Sequence, residues 1–212
     1  DAVRDNLYGV ALVGDELGWA CGSFGTIAHT SDRGRTWKLQ RSGAGEALYS
    51  IDFVNPRLGW AVGRSGTIVH TSDGGATWEV LKWASTKHLF SVDFVDDARG
   101  IAVGDWGVVL VTDDGGLTWT NRSLPEDLIL NEVTMIDHDT ALIAGEIGTV
   151  LRSTDGGKTW TRLDSGVDKT LFGVRCRDAM RCWAVGIDAL ILSTEDGGST
   201  WQVVNGSTDL RP

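Results

Sequence analysis

Thr30-Ser31-Asp32-Arg33-Gly34-Arg35-Thr36-Trp37 is the first of five copies of one phrase, Ser/Thr-x-Asp-x-Gly-x-Thr-Trp. The others run from Thr71 to Trp78, Thr112 to Trp119, Ser153 to Trp160 and Thr194 to Trp201. Each closing tryptophan follows the last by 41 residues, without insertion or deletion. A fixed period in this range marks a repeat architecture, in which one supersecondary unit is stacked on copies of itself. The phrase therefore divides the chain into units 1–41, 42–82, 83–123, 124–164 and 165–205, with a tail at 206–212. All five units are read as one β-propeller domain spanning 1–205.

Working outward from the phrase, each unit reads as four short strands. In the second unit, Leu48-Tyr49-Ser50-Ile51-Asp52-Phe53-Val54 alternates apolar and polar residues, the period of a half-buried strand. A turn at Asn55-Pro56-Arg57 leads into Gly59-Trp60-Ala61-Val62, and Gly63-Arg64-Ser65-Gly66 reverses the chain. Thr67-Ile68-Val69-His70 then enters the Asp phrase, and Thr77-Trp78-Glu79-Val80-Leu81 forms the fourth strand. Leu7, Leu48, Leu89, Leu130 and Leu171 recur at strand one, and Gly22, Gly63, Gly104, Gly145 and Gly186 before strand three. No segment sustains a 3.6-residue apolar period, which excludes helical solenoids. The fold class is all-β: a β-propeller of five four-stranded antiparallel blades. Because each unit holds its own four strands, a closed five-bladed ring is expected, with an incomplete seven-bladed propeller as the alternative.

Composition narrows the function classes. A net charge of −10 without a basic patch argues against nucleic acid as a partner. There is no polybasic segment, and no apolar run long enough to span a membrane. No His/Cys cluster has metal-ligand spacing, so neither a metal nor a cofactor is expected. His29 and His70 share one repeat position and read as structural, and Asp52 and Asp93 share a strand-one position that reads as solvated. Cys21 takes a place filled elsewhere by Val or Ala and reads as core. Cys176 and Cys182 flank a turn in the last unit only. A disulfide there is one reading, pointing to an oxidising compartment, and two free thiols are the other.

The Asp phrase sits at the turn between strands three and four, where a short carboxylate accepts backbone N–H groups of its own turn. Asp32, Asp73, Asp114, Asp155 and Asp196 thus read as structural, as do the anchors Trp37, Trp78, Trp119, Trp160 and Trp201. A catalytic or metal-binding group is not needed in every blade. The motif and its GG-x-T-W ending resemble the Asp-box, or BNR, repeat. Together with L-x-S/G-V/I-x-F and G-W-A-V-G-x-x-G-T-I/V, they resemble the photosystem II stability/assembly factor family and its bacterial relatives. That resemblance implies a non-enzymatic docking scaffold for a membrane-protein complex or its assembly intermediate. It also implies a periplasmic or thylakoid-lumenal place; the start at Asp1 reads either as processing, with a signal peptide lost and an extracellular place open too, or as a trimmed sequence.

Strand alternation puts the turns between strands two and three on one face with the inter-blade connectors, and this face varies between units. Partner binding is expected there. Trp83 opens a connector and Trp106 tips the Gly104-Asp105-Trp106-Gly107 turn of the same blade. Phe24, Ile147 and Ile187 lie in the equivalent turns of other blades, beside Arg64, Asp105, Glu146 and Asp188. Exposed aromatic residues flanked by charges suit a protein interface. The alternative is a lectin-like propeller, with Trp83 or Trp106 stacking on a glycan. A sialidase-type hydrolase fits less well: only Tyr8 and Tyr49 could serve as its tyrosine nucleophile, and the unvarying spacing leaves no long loop to shape a pocket.

Overall fold

The computed structural model describes residues 5–81 and 86–204. These form five four-stranded antiparallel sheets, each built from consecutive strands. Sheet one holds β1 (Leu7–Val13), β2 (Leu17–Gly22), β3 (Thr26–Thr30) and β4 (Lys38–Arg41). Sheet two holds β5 (Leu48–Phe53), β6 (Gly59–Gly63), β7 (Ile68–Thr71) and β8 (Glu79–Leu81). Sheet three holds β9 (Leu89–Phe94), β10 (Gly100–Gly104), β11 (Val109–Thr112) and β12 (Thr120–Asn121). Sheet four holds β13 (Leu130–Met135), β14 (Ala141–Gly145), β15 (Val150–Ser153) and β16 (Thr161–Leu163). Sheet five holds β17 (Leu171–Cys176), β18 (Cys182–Gly186), β19 (Ile191–Thr194) and β20 (Gln202–Val203). The chain divides into two compact units, Asp1–Ala102 with Thr112–Thr120, and Val103–Val111 with Asn121–Pro212.

The Asp boxes close every sheet in the same way. Asp73 Oδ1 accepts the Thr77 N–H at 2.8 Å, and Oδ2 accepts the Thr77 hydroxyl at 2.7 Å. Thr71 Oγ1 donates to Asp73 and accepts the Gly75 N–H. The same bonds recur at Asp32, Asp114, Asp155 and Asp196. The Thr77 N–H is thus committed to Asp73, and β8 starts after Trp78 rather than at Thr77. At the same end of the sheet, the turn between strands one and two is tied to the box: the Gly74 N–H donates to Arg57 O and the Gly197 N–H to Met180 O.

Within the first unit, successive sheets pack through aromatic pairs. The register aligns Asp52, Trp60, His70 and Glu79 across sheet two, while Ile51, Ala61, Val69 and Val80 line its other face. Trp19 stacks on Phe53 with centroids 3.8 Å apart, and Trp60 on Phe94 at 3.6 Å. Each indole N–H reaches the next Asp box, Trp19 to Gly74 O and Trp60 to Gly115 O. The glycine before Trp60 has a packing reason: a Cβ at Gly59 would lie 2.4 Å from the Phe53 ring. The edge N–H groups of the following sheet's first strand are met by side chains. Asp52 Oδ2 accepts from Phe94 N, and Ser50 Oγ from Val92 N. Asp52 is therefore a clamp between sheets rather than a solvated group.

A bulge at the start of strand one is seen in sheets one, two, four and five, leaving Tyr8, Tyr49, Asn131 and Phe172 out of register. It re-aims Tyr8 and Tyr49 into a line of rings with Phe90. In the second unit, Leu142, Ala144 and Val150 of sheet four pack on Val174, Ala184 and Leu192 of sheet five. Glu132 joins the same sheets, accepting the Val174 N–H at 2.8 Å and pairing with Arg175 at 2.7 Å. Burial pushes its carboxyl above the ordinary range, against the opposing pull of Arg175. Cys176 and Cys182 form a disulfide linking β17 to β18. Cys21 is a buried free thiol, raised to about 12 by burial.

Sheets one and five each present an apolar face that is exposed among the described residues. On sheet one, Val10 is 64% and Leu12 72% exposed, where Ile51 and Phe53 of sheet two are buried. On sheet five, Trp183 is 42% exposed where Trp19 and Trp60 are wholly enclosed.

Candidate functional site

The end of each sheet opposite the Asp boxes carries the turn between strands two and three. Two consecutive residues in it take positive φ, the pair a type I′ hairpin turn demands. The second is Gly25, Gly66, Gly107 or Gly148, and Ala189 in sheet five. The first is Phe24, Ser65, Trp106, Ile147 or Asp188, with φ between 53° and 59°. The turn closes conventionally: the Val108 N–H donates to Asp105 O, and the Thr149 N–H to Glu146 O.

That first position favours Asn, Asp or Gly, because a Cβ in the left-handed region meets the following carbonyl at a cost of roughly 1–2 kcal/mol. Three of the five turns instead hold a large apolar residue there, one of them β-branched. All three side chains remain more than half exposed: Phe24 is 78%, Trp106 56% and Ile147 58% exposed. Strain held by an exposed apolar side chain points to a role outside the fold.

The connectors pass beneath these tips and join them. In the first unit, Ser42 Oγ donates to Gly25 O, and the Arg64 N–H donates to Ala47 O further along the same connector. In the second unit, the Gly107 N–H donates to Leu128 O at 2.7 Å, and the Glu146 N–H to Ile129 O at 3.0 Å. Residues 124–129 therefore run from the Trp106 turn to the Ile147 turn as one surface. On the other side of the Ile147 turn lies an open groove of about 350 Å³, lined by Ile147, Arg162, Asp164 and Val167 among others.

The charged residues anticipated at these tips have distinct roles. Arg64 pairs with Glu46 at 3.6 Å, and Asp188 with Lys169 at 3.2 Å. Glu146 braces the connector, its Oε1 accepting the Ile129 N–H at 2.8 Å. Asp105 Oδ1 is buried without a hydrogen-bond partner among the described residues. In sheet five Asp188, not Ile187, takes the left-handed place, because the hairpin is counted from Gly186 to Leu190. Trp83 lies outside the described residues. The connector residues Glu126, Asp127 and Ile129 escaped the sequence reading, since connectors share no repeat pattern; all three are exposed.

The Asp-box carboxylates are occupied by their own turns. Threonine hydroxyl and N–H donors hold Asp32, Asp73, Asp155 and Asp196 down at about 2. At Asp114 burial opposes the shift, but the bonds from Thr118 and Thr112 prevail and the direction is again down. Among the described residues, no group of three or more His, Cys, Asp or Glu side chains is placed to hold a metal ion. No described helix is long and apolar enough to cross a membrane.

A sequence profile described as photosynthesis system II assembly factor YCF48 matches residues 77–173, less than half of the chain. No curated protein matches the sequence. Among solved structures, YCF48 bound to a D1 peptide is similar with a TM-score of 0.78 and 17% identity, over 100% of this chain and 70% of that one. YCF48 from Cyanidioschyzon merolae gives 0.63 at 15% identity, over 98% and 88%. A GH74 enzyme from Niastella koreensis gives 0.73 at 17%, over 93% of this chain but 38% of its own.

Proposed function

We propose that this chain, a BNR-type Asp-box propeller resembling the photosystem II assembly factor, is a non-enzymatic docking scaffold for a protein partner. The partner is a membrane-protein complex or its assembly intermediate, engaged through the tips of the strand two to strand three turns. One observation carries this reading: large apolar residues occupy strained, left-handed turn positions and are left exposed. The solved relative with a bound D1 peptide supports a protein segment as ligand. The contact residues are Phe24 and Arg64 in the first unit, and Asp105, Trp106, Glu146, Ile147 and Asp188 in the second. The disulfide between Cys176 and Cys182 supports an oxidising, extracytoplasmic place such as a periplasm or thylakoid lumen.

The test is affinity capture from the source organism's membranes, with the intact chain beside a Trp106→Asn/Ile147→Asn variant. Asn accepts the left-handed turn, so the fold is retained. Membrane-complex subunits held by the intact chain and lost by the variant are the expected result. Equal capture by both chains would remove the tips from the account.

A further inference from the structure

The surface joining the Trp106 and Ile147 turns has a chemistry that specifies its partner more narrowly. Three apolar side chains stand exposed along it: Trp106, Ile129 and Ile147. Two exposed carboxylates, Glu126 and Asp127, stand on the connector between them; Asp105 and Glu146, beside Trp106 and Ile147, are half-buried, Glu146 being bonded to the Ile129 N–H. The backbone bonds from Gly107 to Leu128 and from Glu146 to Ile129 hold these groups in one continuous stretch. Among the described residues Arg122 stands exposed just before the connector, and the two other nearby cations are engaged. Arg162 is turned onto the Ile147 carbonyl at 3.1 Å, and Lys169 is paired with Asp188.

We infer that this surface receives a cationic segment of the partner protein, with lysine or arginine residues alternating with apolar ones. The inference rests on the docking reading above and adds the sign of the partner's charge. An apolar anchor beside Trp106 or Ile147 buries surface and supplies affinity. The carboxylates steer a cationic chain into place and penalise an acidic one by leaving like charges facing each other. Glu126 and Asp127 are exposed and set their charges at the bend of the connector. They alter the local field without bracing the fold, as Glu146 does.

The probe is a fluorescein-labelled twelve-residue peptide alternating lysine with leucine, with a matched peptide carrying glutamate for lysine, both read by anisotropy. The expected result is saturable binding of the lysine peptide and none of the glutamate peptide. Glu126→Gln/Asp127→Asn should weaken binding by about fivefold to tenfold, the weight of two exposed charge pairs. A Trp106→Asn variant should weaken it too. Asp15→Asn/Glu195→Gln removes the same charge at exposed residues of the Asp-box end and should leave binding unchanged. Equal weakening by both double variants would overturn the inference, reducing it to attraction by the net charge. Failure of the lysine peptide to bind would overturn it as well. Either failure, with membrane capture still dependent on Trp106 and Ile147, leaves the docking reading standing and removes only the cationic chemistry. Capture that ignores Trp106 and Ile147 removes both.

Discussion

Replacing Phe24 by asparagine should make the protein more stable while weakening its docking. Phe24 holds a left-handed φ of 56° at the first central position of its turn. That conformation costs an ordinary residue about 1–2 kcal/mol, and asparagine is spared most of it. Against this stands the burial lost: with 78% of the side chain exposed, about a fifth of a phenylalanine's burial energy is at stake, roughly 0.5 kcal/mol. The balance is a gain of about 0.5–1.5 kcal/mol, or a rise of about 1–6 °C in Tm for a chain of this size. Ile147→Asn is a graded companion. It starts from comparable strain but loses more buried surface, so its net effect should lie nearer zero. Urea unfolding followed by tryptophan fluorescence reads both. If Phe24→Asn instead lowers stability by more than about 1 kcal/mol, the side chain anchors its turn. The strained turn would then serve the fold and no longer point to docking.

Three other outcomes follow from the packing and the charges. Trp60→Ala should cost about 3–5 kcal/mol, because the indole is wholly buried, stacked on Phe94 and bonded to Gly115 O. Trp183→Ala, at the same repeat position but 42% exposed, should cost less than half as much in the same urea titration. Arg175→Ala should destabilise by about 1–3 kcal/mol at pH 7, where it strands the Glu132 carboxylate between sheets. Because burial raises the folded Glu132 carboxyl above 4.5, that penalty should shrink as pH falls and the group protonates. Urea midpoints at pH 4 and 7 report the difference. Finally, four Asp-box carboxyls held at about 2 contribute stability that is fully present above pH 3.8, their ordinary value. It is lost as pH falls from there through 2, so acid unfolding followed by circular dichroism should be concentrated in that window.

The parts of the fold governed by local, repeated chemistry were legible in the sequence. The Asp phrase announced its turn because carboxylate, threonine and glycine each have one job there, and the period of two gave every strand its face. The bulge at Tyr8 and Tyr49 was not legible, since an extra residue in strand one leaves the apolar alternation readable in either register. Ile187 looked like the tip of its turn because it is the apolar residue there, although the 41-residue spacing from Ile147 falls on Asp188. The covering of sheet faces also escaped: Val10 and Ile51 are interchangeable as letters, and only the neighbouring sheet decides which is buried. At the candidate site, the sequence singled out Trp83 and Trp106 as tryptophans outside the repeat pattern, and Phe24, Ile147 and Ile187 by their place in the equivalent turns. It could not show that Phe24, Trp106 and Ile147 sit at positive φ, nor that Glu126, Asp127 and Ile129 join the same surface. Those facts depend on hydrogen bonds between connector and turn, which no periodicity records.

The central claim is that a partner protein meets the turn tips and not the Asp-box end, and site-specific photo-crosslinking tests it most directly. A benzophenone amino acid would replace Phe24 or Trp106 at the tips, and Leu117 or Met180, both exposed at the Asp-box end, as controls. Illumination in the source organism's membranes should yield adducts with one membrane-complex subunit from positions 24 or 106 and none from 117 or 180. Adducts that form from 117 or 180 while 24 and 106 remain silent would contradict the account.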